Sequence, residues 1–394
     1  MVAELDAFRA ETRAWLEENC PAGARGPGPV SIGSRQVDLG SDLALWLERM
    51  AEKGWTVPTW PEAYGGAELD RDRYRVLIEE LTRIDARPPL SGRGVNYIGP
   101  TILEYGTDDQ KARWLPGIAR GDGAWAMGYS EPGAGSDLAN LSCRAVREGD
   151  WYRINGTKMW TSDAAICDYI FVLVRTSPEK PKHEGISLIL VDMDQPGVQV
   201  NPIRLLSGAS PFCETVFTDA MARADDVIGG VDNGWTVGKR LLQFERSTHA
   251  GINISGSQGG RSEESRVPAL VRDYLGMEGG RLADPAIRAR LVRYMMNDQA
   301  QQLTRNRAIE ELKSRAPGFT SSAVKLTGAL QKQEGDEILV EAMGVRILGL
   351  DEHFTERERG AQRDWLYGKA LTIAGGTQEI QKNIIAKRVL GLPD

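Results

Sequence analysis

Apolar positions recur at helical spacing through the first third of the chain. Leu5, Phe8, Thr12, Trp15 and Leu16 fall on one face, and after Ser41 the positions Leu43, Trp46, Leu47 and Met50 repeat the pattern. The stretch GWTVPTWPEAYGG interrupts it, because Pro58 and Pro61 lack donors and Gly65-Gly66 favours a turn. Helices are expected again over residues 74–84 and 99–105. From about residue 121 the period changes. The runs YIFVLV and ISLILV are strand-like in length and residue type, and Asn155-Gly156, flanked by WYRI and KMWT, predicts a hairpin turn. Beyond Asn233-Gly234 the pattern is helical to Ala374, with glycine-rich breaks near 256–260 and 275–280. An α, β, α succession predicts an α+β fold: helices over 1–120, an antiparallel sheet over 121–230 and helices over 231–394.

At roughly 150 residues per domain, 394 residues agree with two or three domains. Hydrophobic residues make up 41% and charged residues 26%, which excludes a disordered or collagen-like chain. Cys20, Cys143, Cys167 and Cys213 are isolated, without a CxxC pair, so neither a disulfide framework nor a zinc ribbon is expected, and a reducing cytoplasm is. The net charge of -7 without a basic block excludes a nucleic-acid footprint. Apolar runs such as 169–174 and 186–191 are far shorter than the 18 or so residues of a membrane helix. The acidic start, MVAELDAFRAETRAW, lacks the cationic and apolar segments of a signal peptide.

Several chemistries are missing from the pattern. His183, His249 and His353 lie far apart without HExxH spacing, so no metal site is expected. No GxSxG or GxxxxGK[ST] occurs, and Gly133-Ala134-Gly135 does not continue into GxGxxG. Three features are candidates. GYSEPGAGSD, residues 128–137, is a turn of small and hydroxyl residues where helices give way to strands; it suits close backbone approach to an anion, and equally an interdomain turn. Gly375-Gly376-Thr377-Gln378-Glu379 opens a helix striped with Ile380, Ile384, Ile385 and Val389, where Thr377 is a helix cap or part of an anion site. Glu245 shares a helix face with Leu241, Leu242, His249 and Ile252, so it is expected to be buried. It is a general base or the partner of Arg246 in a structural pair.

Taken in order, GWTVPTWPEAYGG, GYSEPGAGSDLA, NGTKMWTS, NGW and IAGGTQEIQKNIIAKRVLGLP resemble the acyl-CoA dehydrogenase family of flavoproteins over nearly the whole chain. That resemblance implies an N-terminal helical domain, a central β-barrel-like domain and a C-terminal four-helix bundle, with FAD as cofactor. It implies that Met127, Tyr129 and Ser130 line the flavin ring, that Gly135 and Ser136 approach the pyrophosphate, that Trp160 and Ser162 cover the ring's other side, and that Thr377 and Glu379 contact the adenosine end. Trp160 is otherwise a core aromatic.

The family reaction is α,β-dehydrogenation of an acyl-CoA thioester, in which a carboxylate removes the α-proton while the β-hydrogen leaves as hydride. Many members carry that carboxylate where this chain has Gly375. Another branch carries it in a Glu-Arg pair that matches Glu245-Arg246. The resemblance therefore assigns the base to Glu245, leaves the Gly375 N–H to polarise the thioester carbonyl, and places Ser136, Gln243, Arg246 and Gly376 on the acyl-CoA. Gln243 stands where many members have an Asp, and the Arg-x-x-Phe-Gly segment is not recognisable over 256–291. Electron-transfer flavoprotein is the implied acceptor and a homotetramer or heterotetramer the implied assembly. Alternatives are an oxidase, monooxygenase-like flavin chemistry, or a subunit that completes a partner's FAD site.

Overall fold

The computed structural model describes residues 2–249, 266–313, 320–349, 351 and 353–393. The chain forms two compact units. The first holds the chain to Ile203 and Pro211–Glu245; the second holds Arg204–Ser210 and most of the chain after Glu245.

In the first unit, α1 (Val2–Asn19), α2 (Ser41–Glu52) and α3 (Arg71–Arg83) enclose a core of Leu16, Trp46, Met50, Trp55 and Leu77. The stripes expected for α1 and α2 supply Leu16, Trp46 and Met50. Glu80 of α3 is almost wholly buried, and Arg13, Arg83 and Arg9 hold its carboxylate down to about 2 through side-chain hydrogen bonds. The short helix α4 (Gly99–Tyr105) follows a π-turn over Gly94–Ile98, and α5 (Asp108–Arg120) begins with a capping box between Thr107 and Gln110. Leu115 and Ile118 of α5 and Ile98 and Ile102 join Phe171, Leu173 and Leu188 of the sheet in one core, which Val237 and Leu241 complete.

The sheet has eight strands among the described residues: β1 (Trp125–Gly128), β2 (Arg144–Glu148), β3 (Trp151–Ser162), β4 (Tyr169–Arg175), β5 (Ile186–Asp192), β6 (Val198–Ile203), β7 (Phe212–Arg223) and β8 (Val227–Ile228). Their order is β6-β7-β3-β2-β4-β5-β8, with β1 beside β4. Two corrections to the sequence reading follow. The sheet is not wholly antiparallel, since β1 pairs β4 in parallel and β2 meets β4 in parallel at Arg144 and Arg175. Nor is Asn155-Gly156 a hairpin turn: it lies inside the twelve-residue β3, and the hairpin to β2 turns instead at Gly149-Asp150. The glycine answers a different need. The β3–β7 register slips between Ile154 and Gly156, Gly156 has φ 149°, and a Cβ there would lie 2.7 Å from the Cys143 Cα. Asn155 meanwhile donates to Asp219 across the sheet, and both signals of a turn are spent on a bulge.

The second unit is helical: α7 (Arg266–Leu275), α8 (Pro285–Lys313), α9 (Thr320–Met343), α10 (Glu356–Gly368) and α11 (Gln378–Ile384). α9 is the central element and touches each of the others. Val271, Leu291, Tyr294 and Ile338 form its core. The glycine-rich break at 275–280 contains a small hairpin, β9 (Met277–Glu278) with β10 (Arg281–Leu282), that the helical pattern did not predict. The break near 256–260 lies outside the described residues. The isoleucine stripe of α11 is only half-buried, its buried member is Gln381, and Val389 is exposed.

Candidate functional site

β1 delivers the GYSEPGAGSD loop, and one buried ion pair fastens it. Lys158, fully buried on the inner face of β3, donates to Glu131 at 2.7 Å and to the Tyr129 carbonyl at 3.1 Å. Glu131 also accepts from the Ser142 N–H and hydroxyl and from the Cys143 N–H. Burial pushes the Glu131 carboxyl up, but the Lys158 ammonium and these donors outweigh it and hold it below the usual carboxylate range. The Met159 N–H donates to the Ser130 carbonyl at 2.8 Å, so two motifs about thirty residues apart meet edge to edge. Neither Glu131 nor Lys158 was singled out from the sequence. Strand alternation inward from Ile154 carries the signal, because a lysine on that face needs an acid.

Beyond this anchor the loop is open. Gly133, Gly135, Ser136 and Asp137 are exposed, and a Cβ on Gly133 or Gly135 would meet no atom within 4 Å. Neither glycine has a positive φ, so neither the backbone nor the packing requires its missing side chain. Met127 and Ser130 are half-buried. Tyr129 differs from its neighbours: its ring goes into the core edge-on to Phe171, at 6.2 Å between centroids, so only its backbone remains on the loop side.

At the far end of β3 the register slips again between Lys158 and Thr161. Trp160 takes φ 61° and is 54% exposed, against the core-aromatic reading. It touches Phe212 edge-on at 6.1 Å, and Ser162, half-buried, pairs with Phe212 in register. A bulky residue held in the left-handed region, facing outward from a strand, is an outlier of the kind that marks a functional position.

The long helix α6 (Gly234–His249) buries Val237 and Leu241 fully, and Glu245 is 7% exposed on the same side, as the spacing predicted. Two buried tyrosines share that environment. Burial pushes the hydroxyls of Tyr97 and Tyr129 well above the usual phenol range, and the nearby Glu245 charge adds to it, so both stay neutral. Gln243 is exposed and accepts from Arg240 at 2.8 Å. The side chains of Arg246 and His249, and Ile252 altogether, lie outside the described residues.

In the second unit Gly375 and Gly376 have φ 65° and 92°, a conformation that disfavours side chains. Their carbonyls are held from two helices: Gln381 Nε2 donates to Gly375 O at 2.9 Å, and Lys325 Nζ of α9 to Gly376 O at 2.5 Å. Thr377 caps α11 by accepting from the Ile380 N–H at 3.3 Å, and Glu379 is exposed. Lys325 carries no signal in its own segment, since tertiary contact recruits it, whereas Gln381 reaches back only six residues within the same motif.

Three acyl-CoA dehydrogenase family models match in order: the N-terminal domain over residues 3–122, the middle domain over 126–220 and the C-terminal domain over 232–390. The chain is 36% identical over 398 residues to the acyl-CoA dehydrogenase IpdE1 of Mycobacterium tuberculosis, covering 99% of this chain and 98% of that protein. Among solved structures it is similar to the Tcur3481-Tcur3483 steroid ACAD, with TM-score 0.76 and 30% identity over 99% and 98% of the two chains. It is also similar to the ChsE4-ChsE5 complex of Mycobacterium tuberculosis, with TM-score 0.73 and 27% identity over 99% and 98%. The chain therefore belongs to the acyl-CoA dehydrogenase family, FAD-dependent oxidoreductases that act on the CH–CH bond of acyl-CoA thioesters, with that family's three-domain fold.

Proposed function

We propose that Glu245 is the base that removes the α-proton of the acyl-CoA in this enzyme's dehydrogenation. The observation that carries the assignment is a carboxylate buried to 7% exposure on α6, while Gly375, where many members carry the acid, has no side chain. As a carboxylate takes the proton from a weakly acidic C–H, donors on the thioester oxygen must stabilise the charge that develops there. The Gly375 N–H is assigned to that oxygen, and Ser136, Gln243, Arg246 and Gly376 to the rest of the acyl-CoA.

Bound FAD supplies the acceptor for the β-hydride. The residues present fit it. Gly133 and Gly135 leave open backbone that neither fold nor packing explains, which suits a pyrophosphate beside Gly135 and Ser136. Outward-facing Trp160, with Ser162, Met127, Ser130 and the Tyr129 backbone, offers an apolar and hydrogen-bonding lining for the flavin ring. Thr377 and Glu379 are assigned to the adenosine end.

Electron-transfer flavoprotein is the proposed acceptor, and domain boundaries near residues 120 and 230 are proposed with the fold. Four buried thiols support a reducing, cytoplasmic setting. Among the described residues no helix is long and apolar enough to cross a membrane.

Anaerobic stopped-flow mixing with an acyl-CoA panel tests the assignment. Glu245→Gln should keep bound FAD and lose flavin reduction by at least about a thousandfold, roughly 4 kcal/mol of barrier. Wild-type rates in that variant would remove Glu245 from the chemistry. In the same apparatus, reduced wild-type enzyme should reoxidise on mixing with electron-transfer flavoprotein and not with dioxygen; the reverse result would make it an oxidase.

A further inference from the structure

The Tyr129 hydroxyl is fully buried and has no hydrogen-bond partner among the described residues. Packing does not explain it. The ring's edge-on contact with Phe171 and its place in the core would serve a phenylalanine equally, and an unsatisfied buried hydroxyl costs about 1–3 kcal/mol. Such a group is retained where something outside the resting contacts uses it.

Its surroundings indicate what that is. The hydroxyl lies 3.4 Å from the position a Cβ on Gly238 would occupy. Gly238, Leu241 and Glu245 follow at intervals of three and four along α6, so they share one face, and Leu241 and Glu245 are both buried. Side chains on a helix lean towards its N-terminus, which brings the Glu245 carboxylate back along that face towards Gly238. The charge of Glu245 is felt at Tyr129, as it is at Tyr97.

We propose that Tyr129 is a positioning residue for Glu245: its hydroxyl donates through one bridging water to the carboxylate, and so keeps the base ionised and aimed while the site is shut to bulk solvent. This rests on Glu245 being the base. Among the described residues, Glu245 is faced by Tyr129 from the end of β1 and Tyr97 from the turn before α4, with Arg93 beside Tyr97 and paired to Asp163 at 3.1 Å. On its own helix Arg240 is engaged by Glu104 at 2.8 Å. Tyr129 alone among these combines complete burial with an unpartnered donor.

The test is Tyr129→Phe in the FAD-loaded enzyme. A donor to the carboxylate favours its ionised form, so its removal should move the acid limb of the flavin-reduction rate up by about one pH unit. The displacement is read from the shape of the pH profile, independently of the height of its plateau. An infrared titration of the carboxyl band, assigned by its loss in Glu245→Gln, should show the same displacement without substrate. An unmoved acid limb and an unmoved carboxyl band would overturn the proposal, as would an effect confined to the Kd of acyl groups that carry an oxygen, which would make Tyr129 a substrate contact. The infrared titration reads Tyr129 even if Glu245→Gln proves fully active, so failure of the base assignment is told apart from failure of this one.

Discussion

The Glu131–Lys158 pair decides whether the cofactor-side loop has a fixed shape. Both groups are nearly inaccessible, and each is satisfied several times over. Removing one partner from a buried pair leaves the other charge uncompensated, so Lys158→Met should cost about 3–5 kcal/mol in urea unfolding at neutral pH. Glu131→Gln should cost a similar amount, because it too leaves Lys158 uncompensated, and its single amide oxygen cannot accept from both the Ser142 and the Cys143 N–H, which bond different carboxylate oxygens. The pH dependence has a definite sign. The folded carboxyl lies below its unfolded range of about 4.3, so its contribution is complete above that range and fades as pH falls through the folded value. The stability gap between wild type and Glu131→Gln should therefore be widest at neutral pH and close on acidification; a gap that widens in acid would contradict the assignment.

At the scale of an element, β3 does work that a uniform strand could not. Its first register slip, at Gly156, lets the backbone pass against Cys143, and its second turns Trp160 outward. Between the slips, alternation puts Lys158 inside. A tryptophan in the left-handed region costs on the order of 1 kcal/mol or more, which ordinary folding gives no reason to keep. Trp160→Gly should consequently leave thermal stability unchanged or raise it by up to about 1 kcal/mol, while FAD retention during gel filtration and the visible flavin spectrum are impaired. A variant that loses stability and keeps its flavin intact would show the residue to be structural. Here the sequence misled for a physical reason: Asn-Gly reports only that a positive φ and a small side chain are needed, and a bulge asks for the same residues as a turn.

For the whole molecule, the apolar surface left on the second unit has a consequence. Val292, Met296 and Leu303 lie along α8 and are 53%, 67% and 61% exposed, while Leu291 and Tyr294 of the same helix are buried against its core. A second apolar face on one helix is normally covered by another chain, which supports the tetramer, with itself or with a related subunit, that the family resemblance implies. Sedimentation of the purified chain should show a species larger than the monomer, and Met296→Glu should lower it without changing the circular dichroism spectrum. Unchanged sedimentation in that variant would place the contact elsewhere.

How much could be read beforehand follows the range of the forces involved. Helical stripes such as Trp46, Leu47 and Met50, the strand runs of β4 and β5, the start of α6 at Gly234 and the cap at Thr377 depend on neighbours a few residues away, so the sequence by itself determined them. The burial of Glu245 was legible for the same reason, through its spacing from Leu241. Ordered motifs along the chain determined the family. Only the tertiary structure decided that Glu131 meets Lys158, that Lys325 holds the Gly376 carbonyl, that Asn155-Gly156 is a bulge, and that Tyr129 turns away from its loop towards α6. Each of these is a polar group or strained backbone whose partner is remote in sequence, and burial makes that partner obligatory without naming it.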